Sequence, residues 1–233
     1  MRKKIIITGV SVTGPAHIVL RIPNQDSYSA KIFKSGFIAV VADGLGSSRF
    51  SNVGSKAVCR AVIDASGVWI REKSNSCEKL LKLIKVLWEL YLGNYSVEDC
   101  GTTCLFVILR NNELLLFQLG DGLILNSGKN GNYVHPASKK EFSNLTNSMH
   151  NNKRIDEWSM AKILVKGGNS LMICTDGIAD DLFCEKYFDF MKFIKSKISG
   201  IKKSKRESII RNMLVNWPTK NHTDDKTILI IDY

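Results

Sequence analysis

The sequence predicts an α+β fold of stacked antiparallel sheets flanked by helices. Strand-like apolar runs are grouped on either side of two adjacent long helical patterns, with no regular alternation of strand and helix. Three of those runs stop abruptly at Asp-Gly: FIAVVADGLG (37–46), LLLFQLGDG (114–122) and LMICTDG (171–177). No other repeat and no linker long enough to divide the chain is visible, so residues 1–233 are expected to form a single domain.

Taken in order, Ile5 to Val12 reads as a strand, Gly14-Pro15 breaks it, and Ile18 to Leu20 is expected to begin another. Arg21-Ile22-Pro23-Asn24-Gln25-Asp26 is a polar connection that Pro23 keeps out of a ladder. From Gly54 to about Glu72 apolar residues recur at helical spacing, and a second helix is expected from Ser76 to Leu92, with Asn75 and Glu78 as its capping box. The two helices form a hairpin covering a sheet. Asn111-Asn112 turns the strand Cys104 to Leu109 into Leu114 to Leu119, and Asn130-Gly131 marks a further hairpin. Polar residues up to Lys162 read as a loop or small flap. Beyond the third Asp-Gly come a helical region from Ala179 and a helix from a Ser204/Glu207 capping box to Trp217, where Pro218 stops it. Thr227 to Ile231 is the closing strand.

Composition excludes several classes. Apolar and charged content are those of a globular chain rather than a disordered one. MRKKIIITGV imitates a signal peptide, but its apolar stretch breaks at Thr8-Gly9, short of a usable h-region. No apolar run approaches the roughly 18 residues of a membrane span, so a soluble, cytoplasmic protein without membrane partners is expected. Cys59, Cys77, Cys100, Cys104, Cys174 and Cys184 lack paired zinc spacing and read as reduced structural thiols. The net charge of +11 is concentrated between Lys192 and Arg211, where a solvated helix face is favoured over a docking patch. The scattered His17, His135, His150 and His222 read as surface or satisfied buried residues, and the four tryptophans as packing residues, since no basic groove with interleaved aromatics is visible to favour nucleic-acid binding.

A carboxylate where a buried strand ends, beside a glycine, is costly unless something positive pairs with it. Asp-Gly is common in turns, and for any one of the three that explanation suffices. Three of them after apolar runs, with Asp224-Asp225 before the last strand, favour a shared cation site. Neighbouring strands lie about 4.8 Å apart, so Asp43, Asp121, Asp176 and Asp224 can converge. An all-oxygen donor set points to Mg²⁺ or Mn²⁺ rather than zinc. Two such ions would activate water for hydrolysis of a phosphate ester.

The motif order Arg21-x-x-Asn24-Gln25-Asp26, Ala42-Asp43-Gly44-Leu45-Gly46, Gly101-Thr102-Thr103, Gly120-Asp121, Thr175-Asp176-Gly177 and Asp224-Asp225-x-Thr227 resembles the metal-dependent protein phosphatases of the PP2C (PPM) family, most of all its compact bacterial members. The resemblance spans nearly the whole chain. It implies a β-sandwich of two mainly antiparallel sheets flanked by pairs of helices, and removal of phosphate from serine or threonine of a protein substrate phosphorylated by a Ser/Thr kinase. It also implies a dinuclear Mn²⁺/Mg²⁺ centre, with a third, weaker metal. Asp43 would bridge both ions, Gly44 would ligate one through its carbonyl, and Asp176 with Asp224 would complete the other. Arg21 would hold the phosphate, Asp26 would orient the attacking water, and Asp121 with Asp180 would serve the third ion. Three departures stand out: Gln25 where the family often has Glu, Leu45 where eukaryotic members carry a histidine, and Asp225 in place of a frequent Asn, which leaves Asp224 as the better ligand but not the only possible one. Gln25 and Leu45 keep open a second reading, a pseudophosphatase that binds a phosphorylated partner without cleaving it.

Overall fold

The computed structural model describes residues 5–135, 147–151, 154–218 and 223–233. In chain order the elements are β1 (Ile6–Val12), α1 (Pro15–Leu20), β2 (Ser27–Phe33), β3 (Gly36–Ala42), α2 (Ser51–Arg71), α3 (Cys77–Leu92), β4 (Cys104–Arg110), β5 (Glu113–Leu119), β6 (Leu123–Gly128), β7 (Gly131–His135), β8 (Ser159–Leu164), β9 (Ser170–Cys174), α4 (Asp176–Ala179), α5 (Tyr187–Ile198), α6 (Lys203–Val215) and β10 (Lys226–Asp232). They build two five-stranded sheets, ordered β1-β10-β9-β6-β7 and β2-β3-β4-β5-β8, and every pairing is antiparallel.

The apolar runs of β3, β4 and β5 are continuous rather than alternating because both of their faces are covered. Phe37, Ala39, Val41, Val107 and Leu116 face Ile173, Leu229 and Ile231 of the other sheet, forming the centre of the sandwich. Their neighbours Ile38, Val40, Phe106 and Phe117 pack under α2 and α3, with Trp69, Leu80, Ile84 and Trp88 closing that layer. On the opposite side Val10, Met172, Ile228 and Ile230 pack under Met191, Ile194, Ile210 and Leu214 of α5 and α6. The four layers are therefore helix pair, sheet, sheet, helix pair, as expected. Each fully buried Leu, Ile or Phe in them contributes roughly 1.5–3 kcal/mol.

Several local expectations are corrected. Ile18 to Leu20 is not a strand. Pro15 occupies the first helical turn, where its fixed φ suits the helix and its missing N–H costs nothing, and α1 ends on Arg21 in the left-handed region at φ 57°. The α3 cap is Ser76, whose Oγ accepts from the Lys79 amide at 3.2 Å, while Asn75 accepts from Arg110 instead. The Ser204/Glu207 capping box does not form. Lys202 is the N-cap of α6 and makes no side-chain cap bond.

The polar stretch before Lys162 contains β8, the edge strand beside β5, which presents alternate residues to solvent and so carries a weak apolar signal. Residues 136–146 and 152–153 of the expected flap, and His222, lie outside the described residues. Both hairpins are present, with Asn111 and Asn112 at φ 51° and 65°, as a primed turn requires. The basic segment is less solvated than expected, because Arg206 is buried, with its Nε donating to Ile201 O at 2.7 Å. Arg211 donates to Ser11 O. All six cysteines are free thiols. No helix among the described residues is long and apolar enough to cross a membrane.

Candidate metal centre

Asp43 follows directly on β3, and its main chain is clamped by the Gly101-Thr102-Thr103 segment ahead of β4. Its amide donates to Thr103 Oγ1 at 2.9 Å, and its carbonyl accepts both the Thr102 hydroxyl and the Thr103 amide at 2.8 Å. Leu45 N–H then donates to Gly101 O at 3.0 Å. Gly44 lies in the tightest part of this turn. A Cβ there would stand 2.8 Å from Gln25 O and from Ser51, so no larger residue fits without displacing backbone.

Asp26 arrives from the connection before β2. Asn24 Oδ1 accepts the Asp26 amide at 2.9 Å, an Asx turn that sets the direction of the following carboxylate. Asp26 Oδ2 then accepts the Thr175 hydroxyl at 2.8 Å, and the Thr227 amide donates to the same Thr175 oxygen at 3.1 Å. Thr175 is the last residue before α4, whose first residue is Asp176. This chain of bonds draws Asp26, from one sheet, and Asp176, from the other, onto the two sides of Asp43. Asp43 lies within hydrogen-bonding reach of both carboxyl groups.

The electrostatics are those of a crowded acidic site. Burial, with the Asp225 charge nearby, pushes the Asp26 carboxyl up to about 7 against the pull of Asp43, Thr175 and Thr227. Burial, Asp26 and Asp176 together hold Asp43 well above the ordinary carboxylate range. Burial first, then Asp224 and Asp180, raise Asp176. Asp26 Oδ1 and Asp176 Oδ1 are buried and have no hydrogen-bond partner among the described residues. Buried carboxylate oxygens without a partner are costly as charges, and are relieved by holding a proton, as the raised pKa values show, or by pairing with a cation. The donor set is all oxygen, as a hard divalent ion requires, so the residues fit the expected Mg²⁺ or Mn²⁺.

The remaining expected residues divide. Asp224 is exposed and close enough to Asp176 to act on it electrostatically, while its Oδ1 accepts the Asp225 amide at 2.8 Å. Asp225 is buried and spent on structure. It accepts the Gly14 amide at 2.7 Å and the Gln25 amide at 2.6 Å, and stands 3.0 Å from His17 Nδ1. That leaves Asp224 as the better donor of the two. The carboxylates of Asp224 and Asp225 and the His17 ring lie within 4.8 Å of one another, with His17 on the structural side of the pair.

Asp180 ends α4, its amide donating to Asp176 O at 2.9 Å. Asp121 sits exposed between Gly120 and Gly122, both at positive φ, and is not among the strongest neighbours of Asp43. Gly120 comes against Thr103, which puts Asp121 on the same end of the sandwich. Arg21 is exposed at the end of α1, and its guanidinium makes no ion pair among the described residues.

Sequence reading missed the Thr175 hydroxyl as a structural partner of Asp26, and missed Lys226, which is fully buried. The available signal was a polar residue at the end of an otherwise apolar strand.

This arrangement defines a class: a two-sheet sandwich with crowded, buried carboxylates at one end. The profile of the family described as protein phosphatase 2C matches residues 13–217, and the chain belongs to that family. No curated protein matches it by sequence. Its fold is shared by RsbX in complex with magnesium, at 15% identity and a TM-score of 0.62, over 97% of this chain and 94% of that one. The catalytic domain of the serine/threonine phosphatase PstP, in complex with two manganese ions, matches at 14% identity and TM-score 0.63, over 98% and 97% of the two chains. The PPM Ser-Thr phosphatase MsPP of Mycobacterium smegmatis, in complex with cacodylate, matches at 16% and 0.64, over 97% of each.

Proposed function

We propose that this chain is a metal-dependent protein serine/threonine phosphatase whose single domain spans residues 1–233. The observation that carries the reading is the buried Asp43 carboxyl acted on by Asp26 and Asp176, whose Oδ1 atoms are buried and have no hydrogen-bond partner among the described residues. Asp43 would be shared between two Mn²⁺ or Mg²⁺ ions, with the Gly44 carbonyl on one and Asp176 and Asp224 on the other. Asp121 and Asp180 would serve a weaker third site. Bound there, divalent ions supply charge neutralisation at the phosphoryl oxygens and a lowered pKa for the attacking water.

The chain's own residues do the rest. Asp26 Oδ1, held by the Thr175 bond to its sister oxygen, is the atom that would orient the water. The Arg21 fork is suited to a phosphate dianion. Leu45 offers no proton, so the leaving serine or threonine oxygen would take one from water. The expected substrate is a cytoplasmic protein phosphorylated by a Ser/Thr kinase.

The test is Mn²⁺-dependent hydrolysis of a phosphothreonine peptide, lost in Asp43→Asn and in Asp176→Asn. Robust turnover in chelator, or full activity in both variants, would overturn the reading. Leu45 at the rim favours one alternative, a pseudophosphatase that binds a phosphorylated partner without cleaving it. Calorimetry with Mn²⁺ and phosphopeptide separates the two: phosphopeptide binding without turnover at a saturated metal site supports the alternative.

A further inference from the structure

Lysine is almost never fully buried unless it is paired, yet Lys226 is 2% exposed at the start of β10. Its Nζ donates back to the main-chain oxygen of Asp224 at 3.1 Å. The strongest attraction on the ammonium comes from Asp181, ahead of Asp224, Asp225 and Asp26. Asp181 is itself fixed, accepting the Trp217 indole N–H at 2.6 Å. Trp217, just past α6, thus holds the carboxylate that attracts the Lys226 ammonium most, and Lys226 holds the turn that presents Asp224. The rest of that turn is pinned through Asp225, by the Gly14 and Gln25 amides.

From this geometry we propose that Lys226 is a positioning residue for metal binding: it holds the Asp224 carbonyl, and so fixes where the exposed Asp224 carboxylate points. The proposal rests on the metal-centre reading above. Burying an ammonium is costly, and replacing a buried charge pair with apolar groups is often neutral or stabilising. Stability alone therefore gives no reason to put a lysine here, where every other β10 residue up to Ile231 except Thr227 is aliphatic. A neighbour that orients a ligand typically contributes 10–100-fold in metal affinity.

Removing the ammonium alone would also make the site more negative and draw cations in, which masks a positioning effect. The experiment therefore uses two charge-balanced pairs, Lys226→Met with Asp181→Asn and Lys226→Gln with Asp181→Asn, titrated with Mn²⁺ by calorimetry beside the unaltered protein. Glutamine keeps an N–H donor for Asp224 and methionine does not. The expected result is a Kd for Mn²⁺ raised about 10–100-fold in the methionine pair, only a few-fold in the glutamine pair, and a melting temperature without metal at or above that of the parent in both.

Equal Kd values for the methionine pair and the parent would overturn the proposal. Should the methionine pair not fold, a glutamine pair that folds but loses affinity as severely would overturn it. A parent protein that binds no Mn²⁺ would instead refute the metal centre itself.

Discussion

The Thr175 hydroxyl donates to Asp26 Oδ2 at 2.8 Å across 149 positions of sequence, and joins the two sheets at the candidate site. The same oxygen receives the Thr227 amide, so one side chain satisfies two groups that would otherwise be buried unpaired. Thr175→Val keeps the shape and removes both bonds. An unsatisfied buried polar group costs about 1–3 kcal/mol, and that loss is expected in urea unfolding without metal. Mn²⁺-dependent hydrolysis is expected to fall as well, because Asp26 loses its orientation. A valine variant with parental stability and turnover would show that Thr175 is passive.

The three crowded carboxylates make stability depend on pH in an unusual direction. Asp26 at about 7, and Asp43 and Asp176 above their ordinary values, bind protons more tightly folded than unfolded. Their contribution is complete below about pH 4, where even the unfolded chain's carboxyls are protonated, and is lost as pH rises through about 7. In chelator, the melting temperature is therefore expected to fall between pH 5 and pH 8, by an amount on the order of several degrees. Mn²⁺ should cancel the fall at pH 8, and Asp43→Asn should flatten the dependence. A melting temperature in chelator that rises over that interval would contradict the crowding.

Much of this was legible beforehand, and the reasons are local. Asp43 announces itself because an apolar run stops at it, α2 and α3 repeat apolar residues every three or four positions, and Asn111-Asn112 is turn chemistry. What was not legible depends on distance or on weak local contrast. α1 exposes Ile18, Val19 and Leu20, so an apolar triplet that reads as strand is a surface helix set by Pro15. β8 is an edge strand with one wet face. That Asp225 rather than Asp224 is the structural carboxylate depends on its bond to Gln25, 200 positions away, and no spacing rule carries that.

That division is itself testable. Asp224→Asn is expected to leave urea stability in chelator nearly unchanged while weakening Mn²⁺ binding, because among the described residues the exposed carboxylate accepts only the neighbouring amide. Asp225→Ala removes the acceptor of two backbone amides and the carboxylate 3.0 Å from His17 Nδ1. Hydrogen bonds to a charged group are worth about 1.5–3 kcal/mol each, so a loss of at least about 3 kcal/mol is expected in the same unfolding measurement. The reverse ranking would exchange the roles of the two residues.

Arg21 combines a strained backbone with a side chain that pairs with nothing among the described residues. At φ 57° a residue with a Cβ costs roughly 1 kcal/mol or more, a penalty glycine does not pay. Such strain is consistent with a side chain kept for binding rather than for folding. Arg21→Gly relieves a left-handed penalty of roughly 1–2 kcal/mol against a glycine entropy cost of roughly 0.5–1 kcal/mol. It is therefore expected to match or exceed the parent in stability, while KM for a phosphothreonine peptide rises by about tenfold or more as a charge-assisted contact is lost. Arg21→Lys retains the charge without the planar fork and should fall between. Urea unfolding and steady-state kinetics on the three proteins read both effects. A glycine variant with parental KM would remove Arg21 from the phosphate site and leave its strained backbone without a functional reason.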